Sequence, residues 1–423
     1  LFIKKEFFLN LSNTKLDVDF VRSQFPAFND SISKDWSFME NAGGSYVPKQ
    51  VIKKLNEFMI STKVQPYAEY PMAKIAGENM DLATELFAKM INANSKEIII
   101  GGSTSINLYV LSNALKYLIK PGDEIIVTNQ DHEANISPWR RLSEVGAVIK
   151  EWKINPVTAE LDFEQYEELI SDKTKIVAVT HCSNIVGSVN NLKKISDLAH
   201  KKNAIVIGDG VSFAPHGFPN VKELGVDFYT FSLYKTYGPH IALMYGKEEI
   251  LKILPNQNHE FLEGNYPYTI NPGGPNHEEL VSLLGIHRYM MDLYKHHFSD
   301  DNLSIREKIS KLNNLISAHE EEIANPILDY IDKKENLRLI GKNKIHNKNR
   351  APTISFTATN RLSKKISDIL VSKNIATRND NFYAWRCLKA LGIDSDDGVV
   401  RLSLVHYNSS DDVNRLLDIF DKI

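Results

Sequence analysis

The segment FYTFSLYKTYGPH, residues 228–240, runs as an apolar strand into Ser232, Tyr234 and Lys235 and then turns at Gly238-Pro239. A lysine at such a strand end sits among aromatic side chains, where loss of water disfavours the ammonium and frees the neutral amine for imine chemistry. Taken alone, a lysine in a turn reads as a surface residue. Upstream, VIGDG sets Asp209 directly after a second apolar strand, so one strand end offers a carboxylate and another an amine. That pair suits pyridoxal phosphate. The lysine would form the imine, and the carboxylate would keep the pyridinium nitrogen protonated, which preserves the ring as an electron sink.

Such a cofactor needs a phosphate cradle. GGSTSIN, residues 101–107, ends a strand in two glycines and small hydroxyl residues before a helix; helix-start amides with the hydroxyls of Ser103 and Thr104 would hold an anion. Caps of this kind are also common for purely structural reasons. Neither G-x-G-x-x-G nor a Walker A pattern occurs, which weighs against a nucleotide. Two more strand ends carry polar residues: TNQDHEAN, residues 128–135, with His132, and THCSNIVG, residues 180–187, with Asn184. Singly, each reads as a capping or core residue.

These residues must be positioned by strands, and the chain supplies them. Apolar runs rich in β-branched residues occur at Glu97–Gly101, Glu124–Thr128, Ala147–Glu151, Lys175–Thr180, Ala204–Gly208 and Phe228–Phe231. Helical candidates alternate with them at Ile106–Tyr117, Phe163–Ile170, Leu192–Lys201 and Val221–Leu224, which predicts an α/β fold with a mainly parallel sheet. Such sheets carry ligands beyond the carboxyl ends of their strands. Leu254–Glu279 is rich in Pro, Gly and Asn and reads as loops before a connecting helix at Leu280–Tyr294. From about Asn302 the texture changes to a charged helix, Ser304–Ala324, then strand-like Thr353–Phe356, another helix and a last strand, Val399–Val405. This is a smaller α+β domain.

In order along the chain, ENAGGSYVP (residues 40–48), GGSTSIN, DHEANISPW (131–139), HCSNIVG, GDGVSFAPHG (208–217), SLYKTYGPH, NPGGPNHEE and VVRLSLVHYN (399–408) resemble the class V aminotransferase family of fold-type I pyridoxal-phosphate enzymes. The likeness is to the cysteine-desulfurase-like branch and spans most of the chain. It implies a large domain with a mostly parallel seven-stranded sheet over residues 31–295, a small α+β domain over 296–423, and an N-terminal segment, 1–30, joining the small domain. By the resemblance, Lys235 matches the Schiff-base lysine, Asp209 the pyridinium partner, and His132 the imidazole stacked on the ring. Asn184 matches the residue beside the phenolic oxygen and the substrate carboxylate, and Ser103, with Thr104 and the neighbouring amides, and Ser232 match phosphate ligands. Arg401 matches the arginine that grips the substrate α-carboxylate, a task its planar fork suits. Arg378, in the matching loop, is a second candidate for the substrate site. The resemblance also implies a homodimer and an amino-acid substrate.

Departures from the family pattern bear on the reaction. The loop that carries a persulfide-accepting cysteine in cysteine desulfurases reads RNDNFYAWRC here, with Tyr383 near the matching position and Cys387 four residues later. The acceptor is expected to be missing and Cys387 to be structural. Tyr234 stands where the family often has histidine, Ser212 where it has glutamine or histidine, and Gly274 where a threonine commonly reaches the partner subunit's phosphate. C–S cleavage of cysteine or a thio-substituted relative, by a desulfurase or lyase, is the expected activity. An aminotransferase or epimerase is the alternative, and a non-catalytic cofactor-binding protein the third reading.

Composition limits the partners. The chain has 423 residues, 43% hydrophobic and 24% charged, with Lys+Arg 50 against Asp+Glu 53 and a net charge of −3. That balance gives no general attraction for nucleic acid or anionic membranes, and the basic loop at residues 341–350 reads as solvated surface. No metal-ligand spacing stands out. Two cysteines, Cys182 and Cys387, imply no disulfide framework and favour the cytoplasm. Residues 1–13 mix Lys4, Lys5 and Glu6 into an apolar run with no A-x-A-like site after it, a poor match to a signal peptide. No apolar run approaches the roughly 20 residues of a membrane span, so a soluble protein is expected.

Overall fold

Short runs of Val and Ile become strands because β-branched side chains fit a pleated surface that is covered on both faces. The computed structural model describes residues 14–420. After a two-residue strand, β1 (Ser37–Phe38), the large domain carries β2 (Ile98–Gly101), β3 (Glu124–Thr128), β4 (Val148–Trp152), β5 (Thr174–Thr180), β6 (Ile205–Asp209), β7 (Phe228–Ser232) and β8 (Ala242–Gly246). β2 to β8 form one seven-stranded sheet in the order β2-β8-β7-β6-β5-β3-β4. β8 is antiparallel to both its neighbours, and every other pairing is parallel. All strands but β8 therefore point the same way, and their carboxyl ends share one edge.

Side chains alternate between the two faces. Ile98, Ile100 and Ile126 enter one core, with Phe58, Phe87, Ile195 and Leu283 of the helices Lys49–Ser61, Pro71–Met90, Leu192–Lys201 and His277–His297. Ile99, Ile125 and Val127 enter the other, with Leu108 and Leu111 of Thr104–Leu115 and with Trp139. Both faces are covered, as a parallel sheet requires.

The C-terminal part holds β9 (Leu337–Leu339), β10 (Thr353–Ala358), β11 (Ile375–Ala376), β12 (Arg378–Asp380) and β13 (Val399–Ser403). β12-β13-β10-β9 is an antiparallel sheet, packed against the helices Ile305–Asp332, Ser363–Ser372 and Ser410–Phe420. The helix expected over Ser304–Ala324 runs on through Pro326 to Asp332. Its apolar face, Ile327, Leu328 and Ile331, stays buried in that core, which outweighs the local cost of the proline.

Residues near both ends of the chain meet here. β1 pairs in parallel with β11, and the Ser403 amide donates to the Met39 carbonyl at 2.8 Å, so residues 37–40 lie beside the small domain's strands. Asp17 caps the helix Val18–Ser23 and meets His296 at 2.9 Å, while Arg22 pairs with Asp412 at 3.1 Å. The N-terminal segment thus touches the large domain's connecting helix as well as the last helix. Residues 1–13, compared above with a signal peptide, lie outside the described residues. Among the described residues no helix is long and apolar enough to cross a membrane.

Candidate active site

The carboxyl ends of β2, β3, β5, β6 and β7 open on one cavity of about 420 Å³. Each strand delivers a polar group to it: Ser103 and Thr104 after β2, His132 after β3, Asn184 after β5, Asp209 at the end of β6, and Ser232, Tyr234 and Lys235 after β7. Ser212 also lines it. Of the residues singled out from the sequence, Gly274, Arg378 and Arg401 do not.

Lys235 ends a tight turn, Leu233–Lys235. The Gly238 amide closes that turn on the Leu233 carbonyl at 2.8 Å, and a Cβ at Gly238 would meet Ile286 at 2.8 Å. The Ser45 hydroxyl accepts from the Tyr237 amide at 2.8 Å, which ties the turn to the strip Asn41–Ser45. No hydrogen bond or ion pair joins the Lys235 ammonium to a described residue. Burial, reinforced by Arg401, lowers its pKa to about 8, against the pull of Asp209 and Glu40. The amine is thus poised for nucleophilic use.

Asp209 accepts the Val211 amide at 2.9 Å on one carboxylate oxygen. Burial raises its pKa to about 6, opposed by the Val211 hydrogen bond and by Lys235. Gly210 follows because a Cβ there would overlap the ring of buried Tyr229, whose hydroxyl meets His181 Nδ1 at 2.7 Å. His132 caps a short turn and accepts the Ala134 amide on Nδ1 at 3.1 Å. Burial, then Lys235 and Arg401, lowers its pKa to about 3. It is therefore a neutral imidazole with its proton on Nε2. Below it, Asp131 accepts from Asn135 at 2.7 Å and from Thr128.

Three buried polar atoms in this cavity or at the helix start beside it lack a partner among the described residues. They are Thr104 Oγ1, Asn107 Nδ2 and Asn184 Oδ1. Two of them stand at the start of the 12-residue helix Thr104–Leu115, capped by the Ser103 hydroxyl. A Cβ on Gly101 would overlap the Asn107 amide, so glycine lets that side chain fold back under the helix start. Exposed amides, free hydroxyls and a positive helix end could receive a phosphate. A buried acid that could pair with a ring nitrogen, an unpaired buried amine and a neutral imidazole complete a donor set that fits pyridoxal phosphate.

The small domain contributes the remaining wall. Tyr383 lines the cavity, its ring 5.2 Å from that of His132. Phe382 and Tyr383 both adopt left-handed backbone conformations, φ 49° and 60°, each at a cost of about 1–3 kcal/mol. Two bonds hold the loop there: Asn184 Nδ2 donates to the Phe382 carbonyl at 2.9 Å, and the Glu133 amide donates to the Tyr383 carbonyl at 2.8 Å. Arg386 pairs with Glu133 at 3.1 Å. Cys387 is fully buried among Ile185, Val186 and Leu388, and burial pushes its thiol up to about 12. Cys182 borders the cavity but is also buried and pushed up to about 12.

Arg401 is buried on β13, with its guanidinium 3.6 Å over the Phe382 ring. It donates to the Asn184 carbonyl at 3.3 Å and pairs with Glu40 at 3.0 Å. Arg378 pairs with the same Glu40 oxygen at 3.2 Å. Gly274 lies in the loop before the connecting helix, with φ +72° and open space around it.

Sequence reading missed Tyr109, Glu133, Ser137, Thr180, Val211 and His240, which also line the cavity. Glu133, Ser137 and Val211 follow residues already singled out, so strand-end position was an available signal. His240 closes the same strand-end segment as Lys235, whereas Tyr109 carried no such signal. Among the described residues no group of three or more His, Cys, Asp or Glu could hold a metal.

Known proteins share this sequence pattern and this fold. The family model for aminotransferase class-V matches residues 37–299 and 302–416. The aminotransferase-like protein FGM3 of Gibberella zeae is 35% identical, over 96% of this chain and 98% of its own. The cysteine desulfurase-like protein ustD of Aspergillus flavus is 28% identical, over 96% and 91%. The fold matches the crystal structure of the cysteine desulfurase CsdA from Escherichia coli with a TM-score of 0.80 at 23% identity, over 96% of this chain and 98% of that one. It also matches the apo cysteine desulfurase of Thermococcus onnurineus with a TM-score of 0.82 at 23% identity, over 97% and 98%. The fold is that of the fold-type I pyridoxal-phosphate enzymes. With the family model matched across both domains and a cavity suited to its cofactor, the chain belongs to the class-V aminotransferase family, cysteine-desulfurase-like, whose members use pyridoxal phosphate.

Proposed function

We propose that the protein is a pyridoxal-phosphate enzyme that breaks the C–S bond of cysteine or a thio-substituted relative and releases the sulfur instead of storing it on a protein thiol. The observation that carries this reading is the pairing of Lys235, Asp209 and His132 around one cavity with a facing loop that presents Tyr383 where a thiol acceptor would be needed. Neither cysteine can serve, since thiolate is the reactive form and both thiols are held neutral by burial.

When bound, the cofactor supplies an electron sink conjugated to the substrate's α-carbon. The chain's own residues do the rest. Lys235, with its pKa near 8, takes up the α-proton. Asp209 would hold the proton on the ring nitrogen. The Ser103, Thr104 and Ser232 hydroxyls and helix-start amides would bind the phosphate, with Ser212 and Tyr234 beside the ring. Asn184 and Arg401, with Arg378 beside it, orient the substrate. His132, neutral with its proton on Nε2, would face the ring and could donate that proton to a departing sulfur.

The name of the 35% identical relative, aminotransferase-like, supports transamination as the second reading, with epimerisation beside it as the other outcome the family resemblance leaves open. The test uses the purified protein with pyridoxal phosphate. L-cysteine should shift its visible absorption band, and sulfide, pyruvate and ammonia should form in equal amounts. Lys235→Ala should alter that band and cut product formation by about 10²–10⁴-fold. A changed stereocentre or an exchanged amino group without sulfide overturns C–S cleavage in favour of the second reading; a bound cofactor with no turnover makes the protein a binding protein. The proposal includes a homodimer, which sedimentation should detect as twice the chain mass, and a reducing compartment such as the cytoplasm, consistent with two unpaired thiols.

A further inference from the structure

Arg401, the residue matched to the substrate's carboxylate, already holds a carboxylate of the protein itself. One oxygen of Glu40, Oε1, accepts from Arg401 Nη2 at 3.0 Å and from Arg378 Nε at 3.2 Å. Glu40 is built into this position. Its backbone bridges to Ser403 of β13, one pleat from Arg401. Its carboxylate packs on Gly43, where any Cβ would overlap it. Arg401 is fixed from the other sides by Phe382 at 3.6 Å and the Asn184 carbonyl at 3.3 Å. Among the described residues its buried Nε has no partner, and neither has Asn184 Oδ1.

Two guanidiniums face two carboxylates here, Glu40 and, 3.9 Å from Arg378, Asp380, so the cluster is balanced without any ligand. A buried arginine fork binds one carboxylate bidentately with good geometry. A second carboxylate arriving at the same fork meets Glu40 as a like charge at close range. The Glu40 side chain retains some exposure, 21% against 2% for Arg401, so it is the partner with room to move.

We infer that Glu40 is a specificity-determining residue, an internal carboxylate that a ligand's carboxylate displaces from Arg401 on binding. The inference rests on the proposed role of Arg401 as the substrate-carboxylate site. Glu40 keeps the buried guanidinium neutralised while the site is empty, and the exchange raises the ligand concentration needed to fill it. Shape and the arginine's hydrogen bond survive in Glu40→Gln, but the competing charge does not.

The experiment titrates the pyridoxal-phosphate-loaded protein with L-alanine, which has no β-leaving group, and with ethylamine, the same amine without its carboxylate, following the visible band. Glu40→Gln is expected to tighten L-alanine binding about tenfold, the scale of one charge-assisted hydrogen bond, and to leave ethylamine unchanged. Glu40→Asp, which retracts the carboxylate by one methylene, should move L-alanine in the same direction and serves if the glutamine variant does not fold. Unaltered or weaker L-alanine binding in these variants, or an equal change for both ligands, overturns the inference. A wild-type protein that acquires no visible band refutes the cofactor reading itself, an outcome distinct from a loaded protein whose ligand affinities ignore residue 40.

Discussion

At the scale of single residues, the site depends on burial more than on pairing. Among the described residues no carboxylate lies within ion-pairing distance of Lys235, and desolvation holds its pKa near 8. The neutral amine grows as pH rises through that value, so capture of pyridoxal phosphate should accelerate with pH and level off above about 8, which stopped-flow absorbance would read. A flat profile would show that another step limits capture. Removing the amine in Lys235→Ala should cut turnover by about 10²–10⁴-fold, the usual contribution of a positioned proton-transfer group. Lys235, Asp209 and His132 were legible because each follows an apolar strand. Glu40 was not, since its partner Arg401 lies 361 positions away and no local pattern announces a contact of that range.

At the scale of elements, strand ends and helix starts set the geometry, and a few backbone positions keep them compatible. Gly101 ends β2 where a Cβ would overlap the Asn107 amide. Gly101→Ala should displace the start of Thr104–Leu115 and weaken cofactor binding about tenfold, an effect equivalent to about 1.4 kcal/mol, measurable by fluorescence titration. Unchanged affinity would remove the helix start from the phosphate site. The loop at Phe382–Tyr383 depends on Glu133, whose amide and carboxylate hold Tyr383 and Arg386. Glu133→Gln should lower kcat more than it raises KM, because the loop sets the approach to His132; steady-state kinetics would separate the two. Six of the seven large-sheet strands could be read from their apolar runs. β8 escaped because ALMYG mixes residues with no strong strand pattern, and its antiparallel place is fixed only by pairing with β2 and β7. The helices Lys49–Ser61 and Pro71–Met90 also went unread, as did the extension of Ile305–Asp332, whose burial depends on β-strands that come later in the chain.

At the scale of the whole molecule, a large buried interior places acids where water cannot reach them. Asp209 has a folded-state pKa of about 6 and Asp131 of about 8, both raised from 3.8 chiefly by burial. Each therefore favours the folded state fully at pH values below 3.8, and that contribution is lost as pH rises through the folded pKa. For Asp209 the loss is about 3 kcal/mol, from a shift of about two pH units. A protonated ring nitrogen beside Asp209 supplies the missing counter-charge, so bound cofactor should recover part of that loss. The expected result is that pyridoxal phosphate raises the melting temperature more at about pH 7 than at about pH 5, a range in which Lys235, with its pKa near 8, stays mostly protonated. Titration of the cofactor's own phosphate contributes to the same slope, and Asp209→Asn separates the two. That substitution removes only the carboxylate's share, so the variant should show a shallower dependence than the wild type. Equal slopes in the two proteins would mean that Asp209 does not face the cofactor's ring.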